Sequence, residues 1–182
     1  YNYMEIIKPK NEQRDIKYYK LENGIRCSLI SDPDIDKSYV VVCINIGSLA
    51  NKQYLDGLAH LLEHMCFITS KKYKEPNHLQ SKMMEFGGSS NAYTSAHETV
   101  YYFDIFSNHL EEIIEIFVDF LFNAELKEEY ILKEMKNVDS EHNKNLNNDL
   151  WRLFNIQHLL SPKDSNNNSF FTGSLETLKK PD

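Results

Sequence analysis

The hydrophobic pattern of the chain opens with two strand-like runs on either side of a turn signal. Residues 17–21 and 25–30 flank Asn23-Gly24. This dipeptide predicts a β-hairpin, because both positions of the common two-residue turn need positive φ. The next run, residues 39–46, is apolar at most positions and ends at Gly47. We therefore expect a central strand that is buried on both faces.

Two stretches with apolar residues at helical spacing come next. In the first, residues 55–67, the repeating apolar positions are Leu58, Leu61, Leu62 and Met65. The second follows Glu75-Pro76-Asn77, which is typical of a helix start, and ends at Gly87-Gly88. We expect its inner face to consist of Leu79, Met83 and Met84.

The rest of the pattern is a second hairpin and a set of long helices. Residues 89–95 and 99–106 are typical of two strands joined by a short turn. Amphipathic helices are predicted over residues 110–121 and from about Lys127 towards Asn147, and a continuation of the second through residues 151–159 is the longer alternative. Strands, a helix pair, a hairpin and then helices predict an α+β fold with a mainly antiparallel sheet, rather than a doubly wound parallel one.

The helix predicted at residues 55–67 carries the sequence H-x-x-E-H. His60 and His64 are one helical turn apart, so their imidazoles face the same side and can share one zinc ion. Glu63 lies on nearly the same face. Zinc accepts imidazole and carboxylate ligands and lowers the pKa of a bound water, whose proton a carboxylate such as Glu63 can take. Because these polar groups would be costly on an apolar helix without a partner, the motif predicts a catalytic zinc site.

A site of this kind needs one more ligand from the protein. The long helix that starts near Lys127 carries Glu134 and Glu141, whose separation of seven residues places them on the same side. Spacing alone does not choose between these two, since most carboxylates on such a helix are solvated surface groups. His142 is a further candidate, although it points about 100° away from Glu141 around the helix.

Composition and charge narrow the class of protein. The 182 residues suit one domain or most of one, and the net charge of −7 argues against a nucleic-acid-binding face. No apolar stretch approaches the length of a membrane span, and the first residues show no signal-peptide pattern. The three cysteines are widely spaced and odd in number, which favours a reduced compartment. We expect a cytoplasmic protein, with an organelle as the alternative, and neither nucleic acid nor membrane as partner.

Three motifs occur in order along the chain. They are H-L-L-E-H at residues 60–64, G-G-S-S-N-A-Y-T-S at residues 87–95 and V-D-S-E-H-N-K-N-L-N-N-D-L-W-R-L at residues 138–153. Together they resemble the insulin-degrading enzyme and pitrilysin family of zinc peptidases, and the similarity extends from Asn23-Gly24 to Thr172-Gly173. The resemblance implies helices packed on one face of the sheet. It also implies a zinc metalloendopeptidase that hydrolyses short or unfolded peptides, with one zinc ion per domain.

The resemblance also implies a role for each residue of the site. His60 and His64 match the family's histidine ligands, Glu63 its catalytic base and Glu141 its distal glutamate ligand. Glu134 matches a second acidic residue of the same helix, which supports catalysis. Family members lay the substrate as an added β-strand beside a strand of their own, a mode in which main-chain hydrogen bonds hold any extended peptide. The residues that match this strand are Ser89, Ser90, Asn91, Ala92 and Tyr93.

One departure from the family pattern follows Thr94-Ser95. The family usually has a Glu before a polar residue and Thr, whereas this chain has Ala96-His97-Glu98-Thr99. We expect Glu98 to act as a substitute that orients a ligating imidazole.

The resemblance further implies how the chain is organised. Family members contain several homologous domains whose halves enclose a chamber, and the distant half supplies an Arg and a Tyr to the site. We therefore expect residues 1–182 to be the amino-terminal catalytic peptidase domain, cut short at its carboxyl end and feeble or inactive alone. Its partners are expected to be peptide substrates and the remaining homologous domains of the same chain, and a homodimer is compatible with the sequence.

Three alternatives to this function stay open. The first is a protease like the mitochondrial processing peptidase, but the run at residues 138–153 favours the metalloendopeptidase over it. A catalytically inactive family subunit is argued against by the intact set of His60, Glu63, His64 and Glu141. A structural zinc site would typically be rich in cysteine, yet none of the three cysteines lies close to another along the sequence. Cys66 is turned about 200° from His64 around the helix, towards the core.

Overall fold

The computed structural model describes residues 2–3 and 6–179. Both ends of the domain predicted at residues 1–182 therefore lie outside the described residues. The chain divides into two compact units, Tyr1–Asp36 and Lys37–Asp182. The predicted site residues all belong to the second unit.

The described residues of the first unit contain a three-stranded antiparallel sheet in the order β1-β2-β3. Its strands are β1 (Asn2–Tyr3), β2 (Asp15–Lys20) and β3 (Arg26–Ser31). The hairpin predicted at Asn23-Gly24 is confirmed, but its turn differs from the two-residue form. Leu21 N–H donates to the Ile25 carbonyl at 2.8 Å and Gly24 N–H donates to the Leu21 carbonyl at 2.9 Å. Within this turn only Gly24 has positive φ (90°), which is the geometry of a three-residue hairpin loop with one left-handed position.

The second unit contains an antiparallel sheet in the order β4-β6-β5. Its strands are β4 (Lys37–Ile44), β5 (Ser89–Thr94) and β6 (Thr99–Phe106). The expectation of a central, doubly buried strand at residues 39–46 is wrong. Strand β4 lies at one edge of this sheet, and Tyr39 and Val41 on one of its faces are 70% and 66% exposed. The central strand is β6, because both other strands of the sheet pair with it.

In the part of the second unit that the structure describes, five α-helices complete the fold. They are α1 (Leu58–Met65), α2 (His78–Glu85), α3 (Leu110–Phe122), α4 (Glu128–Asn145) and α5 (Asp149–Leu159), with short 3-10 turns at Ser48–Gln53 and Ser107–His109. The predicted continuation of the long helix to Leu159 is wrong. Asn148 interrupts it, because its side chain accepts hydrogen bonds from the N–H groups of Leu150 (3.0 Å) and Trp151 (3.4 Å) and so caps a new helix.

The main core lies between one face of the sheet and helices α2 and α3. Its buried members include Leu79, Met83, Tyr101, Phe103, Ile105, Ile113, Phe117 and Phe120. Met84, which we expected on the inner face of α2, is instead exposed. A smaller cluster of Leu61, Met135, Val138 and Leu178 joins α1 to α4. The α+β prediction with helices packed on one face of an antiparallel sheet is confirmed.

Among the residues that the structure describes, no helix has both the length and the apolar character that crossing a bilayer demands.

Candidate metal centre

Helix α1 presents both motif histidines to the same space. The Nε2 atoms of His60 and His64 lie 3.3 Å apart, and the two rings meet edge to face. One helical turn between these residues accounts for the arrangement, since side chains four positions apart lie one above the other on a helix surface.

Glu141 of α4 completes a triangle with the two imidazoles. Its Oε2 atom lies 3.5 Å from Nε2 of His60 and 3.7 Å from Nε2 of His64. Two ligand atoms held about 2.1 Å from a tetrahedral zinc ion lie roughly 3.4 Å from each other. The three donor atoms therefore have the types and the spacing that suit one zinc ion, and they form a group that could hold a metal.

The other nitrogen of each imidazole is held by a protein acceptor. Nδ1 of His60 bonds the main-chain carbonyl of Thr172 at 2.7 Å, and Nδ1 of His64 bonds Oε2 of Glu134 at 3.2 Å. A carbonyl and a carboxylate accept only, so Nδ1 carries the proton in both rings and Nε2 is left as the ligand atom. The donor set thus fits a metal in its protonation as well as in its spacing.

Glu134 and Glu141, which spacing alone left as equals, have different places in the structure. Glu134 is 5% exposed and lies behind His64, where the amide of Asn137 donates to both of its oxygens at 3.0 Å. The Glu141 side chain is 43% exposed and faces the Nε2 atoms. His142 packs its ring against Phe170 and is absent from the donor triangle.

Glu63 lines the same cavity as the histidines and is 8% exposed. Its Oε2 accepts a hydrogen bond from the hydroxyl of Thr94, the last residue of β5. The carboxylate is therefore held in one orientation beside the donor triangle by a residue of the neighbouring sheet.

The ionisable groups of the site shift one another's pKa values. Burial of His64 opposes its protonation, but the nearby carboxylates of Glu141, Glu134 and Glu63 outweigh burial and raise its pKa above the usual value. The neighbouring His64 imidazole correspondingly lowers the pKa of Glu141. A proton and a metal ion therefore compete for the same His64 nitrogen.

Strand β5 forms one wall of the cavity, whose volume is about 430 Å³. Residues 91–96 line it, whereas Ser89 and Ser90 lie outside the lining. Within its sheet β5 is an edge strand, with β6 on one side only. Asn91 Oδ1 accepts from the Ala92 N–H at 2.9 Å. Three aromatic residues, Trp151, Phe154 and Phe171, also line the cavity.

Three residues of the site were not singled out by sequence analysis in the roles they have here. Asn137 lies three residues after Glu134, a helical spacing that could have identified it as a partner. Thr94 carries a hydroxyl, but its meeting with Glu63 depends on how β5 lies against α1. Thr172 acts through its main-chain carbonyl, which every residue possesses, so the sequence holds no signal for it.

The expectation for Glu98 is wrong. Its carboxylate accepts a hydrogen bond from Cys43 at 3.1 Å, and both imidazole Nδ1 atoms already have other partners. Cys27 and Cys66 form no disulfide bond among the described residues. Cys66 is buried in the main core, as predicted, and burial raises its pKa.

Known proteins resemble this chain in both sequence and structure. The family model described as Insulinase (Peptidase family M16) matches residues 26–163. Insulin-degrading enzyme-like 1, peroxisomal, of Arabidopsis thaliana is 39% identical over 175 residues, which are 96% of this chain and 18% of that protein. Insulin-degrading enzyme of Homo sapiens is 39% identical over 174 residues, covering 96% of this chain and 17% of the relative.

The crystal structure of pitrilysin is similar to this chain with a TM-score of 0.93 and 28% sequence identity. The match covers 99% of this chain and 19% of pitrilysin. The chain therefore spans less than a fifth of the length of each of these proteins.

Proposed function

Because this chain belongs to the insulinase family of peptidases, peptidase family M16, we propose that it carries the catalytic zinc site of a metalloendopeptidase. The reaction is hydrolysis of peptide bonds in short or unfolded peptides, with water as the nucleophile. The observation that carries this proposal is the triangle of His60 Nε2, His64 Nε2 and Glu141 Oε2, with separations of 3.3 to 3.7 Å.

His60, His64 and Glu141 would hold the zinc ion. When bound there, zinc lowers the pKa of a water molecule and polarises the carbonyl group of a substrate. Three protein ligands leave one position of a tetrahedral ion for water, as in catalytic rather than structural sites. The exposed side of Glu141 and the adjoining cavity support this open arrangement.

Glu63 supplies the general base. Its carboxylate takes the proton from the attacking water and returns it to the nitrogen of the departing peptide, so water adds across the broken amide bond. Thr94 holds one carboxylate oxygen of Glu63, which restricts the group to one orientation. Glu134 acts through His64: it keeps the ring proton on Nδ1 and so supports the metal site without being a ligand.

Strand β5 supplies the binding surface for the peptide. An extended peptide can add to an edge strand through main-chain hydrogen bonds, whatever its sequence, while side-chain pockets set preference. The lining of the cavity by residues 91–96 supports binding of the scissile bond beside the donor triangle. The hydrogen bond between Asn91 and the Ala92 N–H would have to open wherever the peptide uses that donor.

The rest of the protein is part of this proposal, because the chain spans less than a fifth of its relatives. The remaining domains of the full-length protein complete the binding surface around this site. We expect the isolated chain to cleave peptides weakly or not at all.

The test is to purify the full-length protein, measure its zinc by mass spectrometry and follow cleavage of an internally quenched peptide. We expect one zinc ion for each copy of this domain, loss of cleavage on chelation and recovery when zinc is restored. A His64→Ala variant should hold no zinc in this site. Zinc without cleavage of any peptide would identify an inactive family subunit, and cleavage restricted to presequence peptides would favour the processing-peptidase alternative.

A further inference from the structure

Residues 169–178, here called the clamp segment, follow α5 and contain neither helix nor strand. Irregular segments usually run over the surface, because buried main-chain groups must find partners. Much of this one is nevertheless buried, including Ser169, Phe171, Thr172 and Leu178. Its buried polar groups therefore indicate what the segment is attached to.

One set of bonds attaches the clamp segment to the start of α1. Ser169 Oγ donates to Oδ1 of Asp56 at 2.9 Å, and Thr177 Oγ1 donates to the Asp56 carbonyl at 3.0 Å. Between these two anchors, the Thr172 carbonyl accepts from Nδ1 of His60 at 2.7 Å. The segment thus fixes the first turn of the metal-binding helix and the ring of its first histidine.

A second set of contacts attaches the same segment to α4. The N–H of Leu175 donates to Oδ1 of Asp139 at 2.9 Å, two residues before Glu141. Leu178 is buried against Leu61 of α1 and Val138 of α4, and Leu175 packs on the same cluster. The clamp segment therefore touches both helices that carry the donor triangle.

The segment comes this close to α1 only because two glycines face each other. Gly57 and Gly173 both have positive φ, 88° and 84°, which side-chain-bearing residues adopt rarely. A Cβ on Gly57 would lie 2.2 Å from Cα of Gly173, and a Cβ on Gly173 would lie 2.8 Å from Cα of Gly57. Any side chain at either position would push the two backbones apart.

We propose that the clamp segment is a positioning device for the metal centre, which sets the spacing between His60 and Glu141 through the Gly57–Gly173 contact. The inference rests on the proposed zinc function and deepens it. The segment supplies no ligand. It acts by holding the His60 ring through Thr172 and by tying α4 to α1 through Asp139 and the apolar cluster.

The test uses the full-length protein with Gly173→Ala, whose metal affinity is measured by competition with a chromophoric chelator. Holding groups of this kind typically change metal affinity by roughly 10- to 100-fold, so we expect a loss in that range. The visible absorption spectrum of the cobalt(II)-loaded variant should also differ from that of the wild type, since the ligand geometry has changed.

Gly87→Ala is the matched control. Gly87 also has positive φ, 66°, but it lies after α2, and an added Cβ there meets only the ring of Phe106. This variant should lose stability while keeping the affinity and cobalt spectrum of the wild type. Equal losses of affinity in both variants would show a general effect of destabilisation and would overturn the positioning role.

A second pair of variants tests the positioning role of the clamp segment if Gly173→Ala does not fold. Asp139→Ala removes the acceptor for Leu175, whereas Asn143→Ala removes only a 3.0 Å bond to the other oxygen of Asp139. We expect weaker metal binding and a changed cobalt spectrum for Asp139→Ala alone. Wild-type affinity in Asp139→Ala, or in a folded Gly173→Ala, would overturn the inference. A wild-type protein that takes up no zinc would instead overturn the proposed function.

Discussion

His64 lies between two carboxylates of one helix: Glu134 accepts a hydrogen bond from Nδ1 at 3.2 Å, and Oε2 of Glu141 lies 3.7 Å from Nε2. The two acids are seven residues apart on α4 and so face the same way. Their surroundings differ and support different proposed roles, because Glu134 is buried and held by Asn137 whereas Glu141 lines the open cavity.

This arrangement predicts an order for two substitutions. Glu141→Gln should weaken zinc binding more than Glu134→Gln, because a neutral amide is a poor ligand whereas the second change leaves all three donors in place. We expect a loss of roughly 10- to 100-fold for Glu134→Gln, as for other groups that orient a ligating histidine. Equilibrium competition for zinc in the full-length protein checks the order, and the reverse order would exchange the two assignments.

Replacement of Glu63 by Gln should separate catalysis from metal binding. Glu63 is outside the donor triangle, so zinc content should match the wild type, while the loss of a general base should lower kcat by roughly 100- to 10,000-fold. The measurement is peptide cleavage by the full-length protein beside zinc analysis of the same sample. Glu111→Gln, an exposed position on α3, is the control and should change neither zinc content nor kcat. Cleavage at the wild-type rate in Glu63→Gln would show that Glu63 is not the general base.

Much of the fold was predictable because its signals are local. The Asn23-Gly24 turn and the helical spacing of residues 58–65 each describe a structure that a few neighbouring residues determine. The edge position of β4 was not predictable in this way, since an apolar run does not say which strands pair beside it. The break before α5 did have a local signal, because Asn148 is a favourable capping residue, but the apolar spacing on either side concealed it.

The candidate site likewise combines features that local helix geometry predicts with features that depend on tertiary packing. His60, Glu63 and His64 share one helix, so its geometry alone brings them together. Glu134 and Glu141 have the same helical phase, and only the packing of α4 on α1 decides which one reaches the imidazole Nε2 atoms. The Thr172 carbonyl reaches His60 across 112 positions of the chain through a contact between two glycines, which leaves no pattern in the sequence.

A pH-dependent contribution to stability is predicted at Asp104. Hydrogen bonds from Lys37 Nζ, at 2.6 Å, and from the Ser89 hydroxyl hold its pKa below the ordinary value of 3.8. A carboxyl group whose pKa is lower in the folded state stabilises fully above its unfolded pKa, and that contribution is lost as the pH falls through the folded pKa. The stabilisation should thus be complete above about pH 4 and decline in acid.

Asp104→Asn tests this contribution directly. At pH 7 the variant should open β4 and β6 more easily by about 1 kcal/mol or less, because the Lys37–Asp104 pair is partly exposed. The difference from the wild type should shrink below about pH 4, where the wild-type carboxylate begins to take up its proton. Hydrogen exchange of peptides covering these strands measures the opening free energy. A difference that stays constant down to strongly acidic pH would rule out the ion pair as its cause.

Thr94 joins the predicted peptide-binding strand to Glu63, the proposed general base, and its hydroxyl can be removed almost without a change of shape. Thr94→Val should lower kcat by roughly tenfold, because Glu63 then lacks the bond that orients it, while zinc content stays unchanged. Thr94→Ser keeps the hydroxyl and should recover most of the activity. A purely structural effect on β5 would instead raise KM in both variants, since each alters the packing of the same side chain. Steady-state kinetics of the wild type and the two variants on one peptide therefore separate orientation of the base from support of the strand.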